Sequence, residues 1–247
     1  FEDVIGSYDG TPISTTPTFV DSISSRLGQA ASFNGTSYLN IGYGQPRDGT
    51  LRNGSVSFWC NVQGQTGTYH ETLGTINNGA TLGFWAGIEG SYPIFQIRNA
   101  DGVYPRWTFD IRKPYVPNTW YFFTCTWGID EIGAMQLKLY IDGLLVRSGI
   151  QRDIGIFAWQ YPMCLGGSNK RGTFAEGWIG YLDDVKFFNY PLSAAEVFNE
   201  YVRITGQEVC LYPPAADLTD DCRVDMDDLA KLADEWLADG KAIVFPD

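Results

Sequence analysis

Period-two alternation of apolar and polar residues dominates this chain and limits it to architectures in which one sheet packs on another. From Ala31 to about Phe188, short alternating or apolar segments are separated by Gly, Asn, Asp and Pro, and no long helical period interrupts them. Successive side chains of a strand point to opposite faces, so Val56, Phe58, Cys60 and Val62 in Ser55–Val62 share one face, which is predicted core. Leu137–Ile141 alternates likewise and runs into Asp142-Gly143, a hairpin signal, before Leu144-Leu145-Val146 returns. Trp120–Trp127 is almost continuously apolar or aromatic, as expected of a central strand covered on both faces. The first helix signal comes late. Ser193 precedes Ala194–Val202 with Glu196 three residues on, a capping box. The expectation is an all-β, antiparallel sandwich over 1–205, closed by a short helix, with a separate tail over 206–247.

The 247 residues are 44% hydrophobic, 15% aromatic and 19% charged, enough apolar material for a substantial core. A formal net charge of −12 opposes attraction to phosphate backbones and anionic membranes, so nucleic acid is excluded as a partner class. No run of 18 apolar residues occurs, and no membrane insertion is expected. The opening at Phe1, inside a strand-like stretch, suggests a mature or trimmed form. Acidity concentrates after Ala216, which points to a cation as its counterpart.

Five pieces stand in a telling order: Leu27–Gly35, Val56–Trp59, Thr119–Tyr121, Leu139–Gly143, and Gly180–Val185 followed by the Leu192-Ser193 helix. Together they resemble the laminin-G-like, concanavalin A-like jelly rolls over about residues 1–202. The resemblance implies a jelly-roll sandwich and a role in binding carbohydrate or glycoprotein. It also implies a structural calcium at Asp183 and Asp184, at the start of a strand, with Asp9 or Asp3 supplying oxygen from the opening loop. A solvent-facing acidic pair is the alternative.

In the tail, Asp217–Asp228 has the spacing of a calcium loop, which places oxygen ligands at positions 1, 3, 5, 7, 9 and 12. Those positions are Asp217, Thr219, Asp221, the carbonyl of Arg223, Asp225 and Asp228, and Leu229–Leu237 follows with helical apolar spacing. The segment resembles one half of a dockerin, with Cys222 where the turn favours Gly, Thr219 in place of Asp or Asn, and no second copy. The alternative is an acidic helix N-terminus that complements the macrodipole. Cys210 and Cys222, 12 positions apart, are expected to form a disulfide that pins this loop, with two free thiols as the alternative; Cys60, Cys125 and Cys164 read as core residues.

Catalysis finds little support. The single histidine, His70, has no nucleophile motif around it, and the related glucanases' Glu-x-Asp-x-(x)-Glu strand is missing. The chain is expected not to be an enzyme. Candidate ligand contacts are aromatics expected in loops: Trp85, Tyr92, Trp107, Trp159 and Tyr161, whose rings can stack on the C–H faces of sugars. Two readings follow. One is a secreted or cell-surface binding module for polysaccharide or glycoprotein, with a calcium-stabilised tail. The other is a structural subunit that assembles with copies of itself, for which the apolar Ala242–Pro246 is suited to strand addition.

Overall fold

The computed structural model describes residues 9–42, 53–64, 69–74, 83–90, 92–98, 115–151, 162–170, 173–206, 214–219 and 223–236. The chain divides into two compact units, Phe1–Thr205 and Gly206–Asp247. The first is a sandwich of two antiparallel sheets. One has six strands, in the order β1 (Thr11–Ser14), β4 (Ser37–Asn40), β12 (Cys164–Leu165), β6 (Tyr69–Gly74), β7 (Gly83–Glu89) and β8 (Tyr92–Arg98). The other has seven, in the order β11 (Leu144–Gln151), β10 (Met135–Ile141), β9 (Trp120–Ile129), β5 (Asn53–Val62), β15 (Ile179–Phe188), β3 (Gln29–Asn34) and β2 (Thr18–Asp21). A small hairpin, β13 (Ser168–Lys170) and β14 (Thr173–Ala175), completes the described strands. Non-sequential neighbours in both sheets are the mark of a jelly roll rather than a meander.

The core lies between the sheets. Val56, Phe58, Cys60 and Val62 of β5 all enter it, as their alternation predicts, and Leu137 and Leu139 of β10 join them. β9 is paired on one side with β10 and on the other with β5, so it is central. Its Phe123, Cys125 and Trp127 face the core, whereas Phe122 faces away and packs with Trp59 and Tyr140. This second apolar layer is capped by helix α1 (Ala194–Thr205), which contributes Val197 and Ile204, with Leu192 beside them. Each such fully buried large side chain contributes about 1.5–3 kcal/mol. β9 is therefore apolar on both faces because both are covered.

Local signals behave as their chemistry requires. Asp142 and Gly143 both have positive φ, 53° and 79°, the two-residue turn that matches strand twist. In α1, Glu196 accepts from the Ser193 N–H at 2.7 Å and the Glu196 N–H reaches the Ser193 hydroxyl at 3.3 Å, closing the capping box. Gly206, with φ 67°, follows the last helical residue, a position that favours glycine. The described part of the second unit is Gly206, the loop segments 214–219 and 223–225, helix α2 (Met226–Glu235) and its C-cap Trp236. No described helix is long and apolar enough to cross a membrane.

Candidate functional site

The outer face of the six-stranded sheet carries a cluster created by a bulge. β6 pairs His70 with Ile88 and Glu71 with Gly87, but then Leu73 with Ala86, so Thr72 is one residue extra. Without it Glu71 and Leu73 would share a face. With it, Leu73 enters the core while Glu71 points away from it, on the face of Trp85 and Ile94. His70 is thereby turned toward the core side, where its Nδ1 lies 2.9 Å from the Gly177 carbonyl oxygen. Gly87 is required here, because a Cβ would sit 2.1 Å from the His70 carbonyl oxygen.

Register places Tyr69 opposite Glu89, Gly74 opposite Trp85, Trp85 opposite Gln96, and Glu89 opposite Tyr92. Trp85 and Ile94 form a small apolar cluster of their own, with Tyr69 packed edge-on to Trp85 at 5.9 Å between ring centroids. Glu71 is 1% exposed, Gln96 3% and Trp85 5%, while Tyr92 at the turn end is 40% exposed. The Trp85 indole N–H makes no hydrogen bond. Glu71, Gln96 and Trp85 are closed to solvent on this face and share it with the exposed Tyr92 ring, and an exposed ring is the chemistry that stacks on sugar C–H faces. Glu71 and Glu89 are diagonal neighbours across the pair, a separation of about 7–8 Å between Cα atoms.

The loop placement expected for Trp85 and Tyr92 is corrected: both lie in strands, Trp85 buried in β7 and Tyr92 opening β8. A lone tryptophan among glycines reads as a loop, and only pairing shows that those glycines belong to a bulged sheet. Glu71, Gln96 and Tyr69 were not singled out from the sequence, since the bulge that aligns them leaves no signal in it. Trp107, Trp159, Tyr161, Asp3 and Ala242–Pro246 lie outside the described residues, as do Asp221, Cys210 and Cys222.

Asp183 and Asp184 are not at the start of a strand but in the middle of β15, where register shifts between Asp183 and Lys186. Asp184 adopts a positive φ of 46°, and its N–H is held by Asp183 Oδ1 at 2.7 Å. Its carboxylate is met by Lys186 Nζ at 2.9 Å and an Arg203 guanidinium nitrogen at 3.1 Å, and both cations also reach Glu200. Asp183 accepts from the Ser22 hydroxyl. Burial raises its pKa, helped by the Asp184 charge and opposed by the Ser22 and Asp184 hydrogen bonds. The three described cysteines, Cys60, Cys125 and Cys164, are buried thiols outside any disulfide. Burial pushes the Cys60 and Cys125 thiols up, so neither offers a thiolate at neutral pH.

In the tail, Asp228 gathers the loop. Its Oδ1 accepts from the Leu218 N–H at 2.6 Å, the Thr219 N–H at 3.0 Å and the Thr219 hydroxyl at 3.1 Å; its Oδ2 accepts from the Asp225 N–H at 2.9 Å. Those bonds, the Asp225 N–H first, hold its carboxyl at a pKa of about 2. Asp225 is the N-cap of α2 and accepts from the Asp227 N–H at 2.9 Å. Of the expected ligands, Thr219, Asp225 and Asp228 are thus brought together; Asp217 is buried at 8% exposure, and Arg223 is exposed. Asp228 takes four internal donors, so calcium there would exchange with N–H groups rather than fill an empty cage. No cluster of three or more His, Cys, Asp or Glu side chains arranged to hold a metal occurs among the described residues.

A model of laminin-G-type domains, described as the concanavalin A-like lectin/glucanases superfamily, matches residues 33–198. The chain belongs to this superfamily. Its concanavalin A-like domain is similar in fold to domain 4 of AbnA, an extracellular arabinanase from Geobacillus stearothermophilus solved with arabinotriose: 18% identity, TM-score 0.57, 77% of this chain and 86% of that one. It is also similar to the receptor-binding domain of botulinum neurotoxin D (18%, TM-score 0.56, 78% of this chain) and to the binding domain of Paraclostridial Mosquitocidal Protein 1 (17%, 0.56, 78%). The concanavalin A-like chain spans 48% and 47% of those two domains, so it corresponds to about half of each. No curated protein matches it.

Proposed function

We propose that the sandwich is a non-catalytic module of the cell surface or extracellular space that binds carbohydrate, free or on a glycoprotein. The observation that carries this is the exposed Tyr92 ring at the edge of the outer-face cluster of Tyr69, Glu71, Trp85 and Gln96, on a fold whose solved likenesses include a domain solved with arabinotriose and two named as binding domains. Tyr92 is its open end, so a sugar first meets that ring. The test is a glycan array followed by calorimetry, with arabinotriose as one probe. Tyr92→Ala is expected to weaken binding about tenfold, the loss of roughly 1.4 kcal/mol of ring contact. Unchanged affinity would remove this face from the reading. Incubating the same glycans with wild type and Glu71→Gln tests the non-catalytic part, because hydrolysis that depends on Glu71 would make the pair with Glu89 an acid–base couple.

The tail is the attachment piece in this proposal. Calcium is taken by Asp217, Thr219, Asp221, the Arg223 carbonyl, Asp225 and Asp228, and Cys210–Cys222 ties the loop down. Support comes from the acid spacing and from the apolar face of α2: Met226 is 72% exposed, Leu229 53% and Trp236 73%, and Leu229, Leu232, Ala233 and Trp236 line a hollow of about 310 Å³. Exposed apolar stripes of this kind mark interaction surfaces. Calcium calorimetry on wild type and Asp228→Ala tests it, with binding expected only for the former. The second calcium implied at Asp183 and Asp184 competes with Lys186 and Arg203 for the same carboxylate; Asp183→Ala shows whether the stoichiometry falls.

A further inference from the structure

Four strands bound the two sheets among the described residues, and three of them are blunted. β1 and β2 are four residues long, β1 containing Pro12 and β2 ending in Asp21, and β8 contains Pro93. Short length, proline and charge are the devices that keep sheet edges from pairing with other chains. β11 has none of them at strength. It runs eight residues, Leu144–Gln151, without proline or acid, and Arg147 is its single charge. Leu144, Leu145 and Ile150 are 52%, 51% and 58% exposed.

The strand is also complementary to itself. Leu139 pairs with Arg147 and Tyr140 with Leu145, so Val146 is a bulged extra residue. Leu139 faces the core and Tyr140 faces away, which puts Arg147 and Gly149 on the core side and Leu145, Ser148 and Ile150 on the outer side. An antiparallel pairing about a two-fold axis through Ser148 then sets Ser148 against Ser148, Arg147 with its bulge against Gly149, and Leu145 against Ile150. The two members of each pair lie on one face, the exposed Leu145 and Ile150 meet, and the arginines are not opposed.

We propose that two copies of the chain join through β11, extending the seven-stranded sheet across a two-fold axis. The seam is about 27 Å long at the strand rise, at the small end for interfaces, so the dimer is weak and concentration-dependent. This is independent of the carbohydrate reading, since the cluster lies on the other sheet.

The experiment is sedimentation-equilibrium ultracentrifugation of the full chain up to about 100 µM, where a micromolar dimer is mostly formed. Wild type is expected to approach twice 27.5 kDa, and the double variant Leu145→Lys, Ile150→Lys to stay monomeric with an unchanged melting curve. Ser148→Cys is expected to cross-link to itself under mild oxidation, while Ile132→Cys, 80% exposed and away from the edge, is not. Monomeric wild type overturns the proposal; slow hydrogen exchange over 144–151 in that monomer would mean the chain covers its own edge. A dimer that survives the two lysines but is lost on Trp236→Lys overturns it too, and assigns association to α2.

Discussion

Asp228 and Asp183 are two carboxylates with opposite consequences for pH. Asp228 is held at about 2 by four donors, below the ordinary value near 3.9, so its contribution to tail order is complete above pH ~4 and lost as pH falls toward 2. Carbon chemical shifts of its carboxyl, followed with α2 helicity, should move together through that window, and Asp228→Ala should fray the first turn of α2 at every pH. Asp183 is raised by burial, so the folded state holds its proton more tightly than the unfolded chain and stability falls as pH rises through its folded pKa. Asp183→Asn keeps an oxygen for the Asp184 N–H and should raise Tm at pH 7 but not at pH 3 by calorimetry. Gly87→Ala forces a methyl against the His70 carbonyl oxygen. It should cost about 2–4 kcal/mol in urea unfolding, since backbone cannot yield as a side-chain tip does.

Among the elements, α1 shows how local and tertiary terms divide. Its start was legible, because Ser193 and Glu196 are three apart and satisfy each other's backbone N–H groups without help from the rest of the fold. Ser193→Ala should cost about 1 kcal/mol. What the helix covers was not legible: Trp59, Phe122 and Tyr140 come from three strands that are adjacent only in the folded sheet. Trp59→Ala should cost about 3–5 kcal/mol, most of it from the cavity left under Tyr201, whose ring lies 5.7 Å away. Denaturant midpoints of the two variants separate cap from packing. Arg203, half exposed, joins Asp184 and Glu200 at the surface, and Arg203→Ala should cost under about 1 kcal/mol.

For the whole molecule, the sheets and α1 bury their apolar faces against one another within Phe1–Thr205, so a chain ending at Thr205 should melt cooperatively within a few degrees of the full one by circular dichroism. A broad, uncooperative transition would place part of the tail in the sandwich's stability. The sequence by itself determined the sandwich class, the core face of β5, the Asp142-Gly143 hairpin, the central place of β9 and the capped start of α1. Each of these depends on residues within about one strand or one helical turn of each other, where period and turn chemistry act directly. Only the tertiary structure decided which face Glu71 takes, that Trp85 is buried in a strand, that Asp184 meets Lys186 and Arg203, and that β11 is the long bounding strand of its sheet among the described residues. Those depend on register and strand order, where one extra residue such as Thr72 or Val146 moves a side chain to the other face, and no local pattern records which strand will lie alongside.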